Sequence, residues 1–103
     1  MFSNSASANS ASLGQLGSAY LDTAATTFTP SGCVVIAITA LTDLKFSALV
    51  SESSGRIFGT DETGKGGDTF SSSDVIPKGT TIYGRWTSVS VSTNDEKCIC
   101  YTS

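Results

Sequence analysis

From Cys33 the chain runs Cys-Val-Val-Ile-Ala-Ile-Thr-Ala-Leu, apolar at every position except Thr39. A run of that length, rich in β-branched residues, predicts a strand covered on both faces. Thr42-Asp43 interrupts it. Leu44, Phe46, Ala48 and Val50 then alternate with Asp43, Lys45, Ser47 and Leu49, the pattern of a strand with one wet face. The strongest later run follows Pro77-Lys78-Gly79. There Ile82, Gly84 and Trp86 share one face and Tyr83, Arg85 and Thr87 the other, but beyond Thr87 the apolar positions move to Val89 and Val91. A one-residue phase change inside a strand predicts a β-bulge or a break into two strands. Arg56-Ile57-Phe58 reads as a short strand. Lys97-Cys98-Ile99-Cys100-Tyr101 reads as a terminal strand with both cysteines on one face. Ile36, Ile38, Phe46, Ile82 and Trp86 are the expected core.

Turn chemistry separates these runs. Phe28-Thr29-Pro30-Ser31-Gly32 and Pro77-Lys78-Gly79 each feed a strand, with Pro expected at the second turn position and Gly closing it. The repeated Pro-x-Gly turn points to two related halves of a sandwich. Residues 51–55 and 93–96 read as further turns. Residues 59–74 form a long Gly/Thr/Asp/Ser-rich loop, of a length that is usually functional or mobile, pinned to the core by Phe70. No segment carries a clean helical period, so the expected fold is all-β, a small sandwich or jelly-roll-like domain over residues 28–103.

Residues 1–27 differ in kind and are expected to form an extended N-terminal arm. Residues 3–12 are Ser, Ala and Asn only, and Asp22 is the sole charge through Thr42. Leu13, Leu16 and Tyr20 have helical spacing. Gly14 and Gly17 oppose a helix there, at roughly 1 kcal/mol each relative to Ala. An uncharged chain of small residues can lie along another protein or add to a strand edge, with Phe2, Leu13, Leu16, Tyr20 and Leu21 as its anchors. The plainer alternative is a disordered terminus.

Composition narrows the function classes. At 103 residues the chain is one domain with a modest core, a size at which partners often contribute stability. A net charge of −3 without a basic patch argues against nucleic acid. The absence of His removes the commonest general base and metal ligand. No Lys or Arg precedes Lys45 and no apolar run approaches a membrane span, so neither a signal peptide nor a membrane anchor is expected. Synthesis in a cytoplasm follows. There the three cysteines, Cys33, Cys98 and Cys100, are read as free thiols, small and buried.

Candidate chemistry is sparse. Gly59-Thr60-Asp61-Glu62-Thr63-Gly64-Lys65-Gly66 nearly spells a phosphate-binding loop, but Gly66 stands where a hydroxyl must hold magnesium and no helix start follows. Asp61, Glu62 and Asp68 could gather around calcium, though their spacing matches no EF-hand. Three cysteines without His fall short of a zinc set. Serines are many, yet no Gly-x-Ser-x-Gly elbow and no base accompany them. No catalytic set, metal or cofactor is therefore expected. Tyr83 and Arg85, on one face, are read as a ligand-binding pair or as part of a subunit interface.

The Phe28-Thr29-Pro30-Ser31-Gly32 turn, the apolar strand after it and the block Val75-Ile76-Pro77-Lys78-Gly79-Thr80-Thr81-Ile82-Tyr83-Gly84-Arg85-Trp86-Thr87 carry a resemblance over residues 26–102. The chain resembles small structural proteins of tailed-phage virions, and in size, acidity, β content and free arm it is similar to head decoration (cement) proteins. The resemblance implies β-rich subunits, often trimers, seated on the major capsid protein at the outer surface of the virion and stiffening the shell. Neither nucleic acid nor membrane would be a partner. Two rivals stand beside it. One is a tail or fibre-tip module binding a host surface through the 59–74 loop. The other is a small carbohydrate-binding β domain with Trp86, Tyr83 and Arg85 lining a groove.

Overall fold

The computed structural model describes residues 16–53 and 55–103. Five strands, β1 (Ser18–Leu21), β2 (Val35–Ala40), β3 (Phe46–Ser51), β4 (Thr81–Val91) and β5 (Cys98–Thr102), form one sheet in the order β1-β5-β2-β4-β3. Every neighbouring pair is antiparallel. The chain is all-β, with no helix among the described residues. The described residues supply one sheet. The two strands fed by Pro-x-Gly turns, β2 and β4, are direct neighbours in it and not members of two stacked halves.

The apolar run after Cys33 becomes the middle strand β2, as its two-sided pattern requires. Val35, Ala37, Ile38 and Ala40 are all buried. Ile36 differs from expectation: it is half-buried and outside the core cluster. Val35 pairs with Thr102 and Ala37 with Tyr101, so Ile36 is the extra residue of a bulge against β5. In β4 the phase change lies where the pattern put it. Val50 pairs with Ser88 and Ser51 with Trp86, leaving Thr87 as the bulged residue, and Trp86, Val89 and Val91 are all fully buried. A second bulge at Ser47 corrects the reading of β3. Phe46 pairs with Val91 and Ala48 with Ser90, so the inward positions become Phe46 and Leu49, while Ala48 and Val50 are half-buried.

An irregular chain, not a second sheet, covers the core side. Residues 56–58 make no strand, only a single bridge from Phe58 to Thr63. Phe58 and Phe70 bring this segment onto the sheet. Phe58 meets Trp86 edge-on at 5.6 Å between ring centroids, and Phe70 meets Phe46 at 5.7 Å. The Trp86 indole Nε1–H donates to the Phe58 carbonyl at 2.9 Å, so the largest buried side chain has its one polar atom satisfied. The ring lies against Gly84. A Cβ at that position would stand 2.6–3.0 Å from three of its ring atoms. Leu44 and Ile76 bridge the segment's far end back to the core. The Thr80 N–H donates to the Pro77 carbonyl, which makes Pro77 the first residue of its turn and not the second. Ile82 is partly buried, packed on the edge of the core.

At the β4–β5 turn a buried carboxylate gathers backbone donors. Glu96 accepts the backbone N–H groups of Lys45, Ser92 and Thr93 at 3.0–3.1 Å. Asn94 reaches the chain after β1, accepting from the Thr23 hydroxyl and the Ala24 N–H. Of the stretch read as an N-terminal arm over 1–27, residues 1–15 lie outside the described residues. From Ser18 the chain belongs to the sheet, with Leu21 buried in the core and Phe28 bridged to Val89.

These contacts set the expected effects of substitution. Trp86→Ala should lower stability by about 3–5 kcal/mol, the range for a large aromatic lost from a core, read as a fall in melting temperature. Gly84→Ala should cost roughly 1–3 kcal/mol by overpacking, because the added methyl would press on the fully buried Trp86 ring. Its near-ultraviolet circular dichroism should change as the ring is displaced. Glu96→Ala should cost about 3 kcal/mol or more, since three backbone donors lose a charged acceptor, whereas Glu62→Ala at a partly exposed loop position should change little.

Candidate functional site

The side of the sheet away from Trp86 carries no packed layer among the described residues. Register places side chains on it in cross-strand rows. Tyr101, Ala37 and Tyr83 form one row across β5, β2 and β4. Ile99, Thr39 and Thr81 form the next. A shallow cleft of about 280 Å³ opens here, lined by Ala37, Thr39, Thr81, Tyr83 and Tyr101. Ala37 is its floor, itself 1% exposed between two tyrosines. Thr39 and Thr81 hydroxyls lie 2.9 Å apart and share one hydrogen bond. Tyr83 stands 63% exposed.

The geometry separates the residues that the sequence pattern groups. Tyr83 lines the cleft, but Arg85 does not. Arg85 Nε donates to Glu52 Oε1 at 2.6 Å and Nη2 to Oε2 at 3.3 Å, while the Glu52 N–H donates to the Arg85 carbonyl. The fork of hydrogen bonds from Arg85 holds the Glu52 carboxyl below its usual range. The strand shifts between Val35–Trp86 and Ala37–Tyr83, so Gly84 and Arg85 together face the single residue Ile36. The ion pair with Glu52 holds the Arg85 side chain toward the β3 end, off the cleft. Trp86 faces the core, and a groove of Trp86, Tyr83 and Arg85 does not exist.

Of the five anchors assigned to the N-terminal stretch, Phe2 and Leu13 lie outside the described residues. Leu16 and Tyr20 are exposed at 60% and 55%, and Leu21 is a core residue at 3%. β1 is an edge strand, with β5 on one side and no strand on the other among the described residues. The opposite edge differs. Along β3, Thr60 donates its N–H to the Leu49 carbonyl, and its hydroxyl accepts the Leu49 N–H, so the loop blunts that edge.

The glycines of the phosphate-loop-like stretch have a packing role. A Cβ on Gly59 would collide with the Leu49 carbonyl, and Gly64, at φ +71°, has the Phe58 backbone against it. The segment closes on itself through Gly59 N–H to Glu62 O and Phe70 N–H to Gly59 O. Asp61, Glu62 and Asp68 do not form a metal-ligating group, as no such cluster of three occurs among the described residues. Cys98 and Cys100 share the inner face of β5, both fully buried. The adjoining Cys98 thiol and burial push the Cys100 thiol far above its usual range, which keeps it protonated. Cys33 precedes the start of β2, at the end opposite Ala40, the partner of Cys98.

Tyr101, Ala37, Thr39 and Thr81 are the site residues that sequence reasoning missed. Alternation along β2 and β5 assigns each to a face, but only strand order brings them together. No protein-family model, curated protein or solved structure matches this chain. Among the described residues no helix is long and apolar enough to cross a membrane.

The thiol environments give a direct check. A thiol reagent should modify Cys33 alone in the native protein, because Cys33 is half-exposed and the other two are sealed. All three should react once the chain is unfolded. Native labelling of Cys98 or Cys100, read by peptide mass, would show that the inner face of β5 opens readily.

Proposed function

We propose that this chain is a structural protein of tailed-phage virions that decorates the outer head shell. The observation that carries the reading is the β1 edge. It is unpaired among the described residues, contains no charged residue, and stands beside exposed Leu16 and Tyr20. Such an edge takes up an extended segment of a neighbouring protein through main-chain hydrogen bonds, with alternate side chains seated in pockets. The partner is the major capsid protein, and a homotrimer is the assembly in which three such edges are presented at once. The resemblance over residues 26–102 supports the same class of protein.

In this role the mechanism is linkage. Contacts made only with the assembled shell stabilise that state over its separated subunits. Many weakly bound copies act together through avidity. No chemistry is required of the subunit, in keeping with an Arg85 satisfied by Glu52 and with the buried thiols of Cys98 and Cys100.

The test is occupancy on purified particles. The protein should co-purify with heads, and a Leu16→Ala/Tyr20→Ala variant, altered only at exposed positions, should fold normally yet bind undecorated heads markedly less. Heads lacking the protein should release DNA at a lower temperature. Location at the tail tip, or equal occupancy by the variant, would overturn the decoration reading.

A further inference from the structure

We infer that the cleft between Tyr83 and Tyr101 is a binding site for a neutral saccharide. This inference goes beyond the virion reading and does not depend on it, since it rests on side chains of the face between β5 and β4 and not on the main-chain edge of β1.

The two tyrosines lie in one cross-strand row with Ala37 between them. Strands are spaced at about 4.8 Å, so two tyrosines one strand apart have their Cα atoms roughly 9.6 Å from each other. That separation leaves room for one ring-shaped group above the small floor of Ala37. The aromatic rings supply apolar walls, which suit the C–H face of a pyranose. The side-chain polar groups of the lining residues are all hydroxyls, those of Thr39, Thr81, Tyr83 and Tyr101. Thr39 and Thr81 spend at most one hydroxyl proton on each other. The second proton and the remaining lone pairs are available, so the pair both donates and accepts at a single point. A sugar hydroxyl has the same dual character.

Charge narrows the ligand further. Arg85 is the only charged residue in any of the five strands, and it is engaged by Glu52. Neither an anion nor a cation finds a counter-charge in the cleft. An extended peptide would find no main-chain partners either, because β2 and β4 lie inside the sheet and pair on both sides. What remains is a neutral ligand recognised by ring faces and hydroxyls, which is the chemistry of a sugar.

The experiment is a titration of the full chain, followed through backbone amide chemical shifts. The probes are maltose, cellobiose, lactose, mannobiose and diacetylchitobiose. At least one should give saturable shifts centred on Ala37, Thr39, Thr81, Tyr83 and Tyr101. Tyr83→Ala should weaken that binding about tenfold, equivalent to roughly 1.4 kcal/mol. The side chain is exposed, so the fold should be unaffected. Thr81→Val, which keeps the shape and removes the hydroxyl, should weaken it as well. The assignment is overturned if no probe produces saturable shifts at these residues, or if both variants bind as the parent does. It is overturned equally if the shifts follow protein concentration in place of sugar and disappear in Tyr83→Ala, which would give the cleft to a second copy of the chain.

Discussion

The structure depends on the contact between the Trp86 side chain and the segment that crosses above it. A single five-stranded sheet in a small chain has one apolar face that must be covered, and here no helix or second sheet among the described residues does so. An irregular segment can serve only if its own polar backbone is satisfied and its position is held. The Trp86 indole contributes to both, by donating to the Phe58 carbonyl and by meeting the Phe58 ring in a T-shaped contact. Phe58 is followed by Phe70, and Phe70 by Phe46, so a chain of rings runs from β4 to β3 through the cover. The bulge at Thr87 belongs to the same solution. It allows Trp86 and Val89, which alternation would put on opposite faces, both to point inward.

The distribution of charge follows from this economy. Apart from Arg85, the strands hold no ionisable group but cysteine and tyrosine, and the remaining charges lie in the connections. The one deeply buried carboxylate, Glu96, is answered by three backbone donors where the β4–β5 turn leaves them free. A sheet so free of charge presents shape, hydroxyl groups and a strand edge to its surroundings. The β3 edge is occupied by Thr60, whereas the β1 edge and the tyrosine face stay open among the described residues. They adjoin, because Tyr20 of β1 shares the tyrosine face in the row of Ile99, Thr39 and Thr81.

The amino-acid sequence by itself determined the strands and their general character. The two-sided apolar run from Cys33 specified a middle strand, the cysteine alternation in β5 specified an inner face, and the displaced Val89 and Val91 specified a bulge near Thr87. These are local matters of period and turn chemistry, carried by consecutive residues. Tertiary structure decided the rest. The bulges at Ile36 and Ser47 arise from pairing with other strands, so nothing in their own neighbourhood announced them. That the 56–76 segment covers the core side, with the Phe58 carbonyl accepting from Trp86, is a long-range contact that no local pattern announces. The cleft was out of reach of sequence for the same reason: Tyr83 and Tyr101 become neighbours of Ala37 only because β5 and β4 flank β2. Strand order is a property of long-range pairing, and the identity of a site built across three strands is settled there.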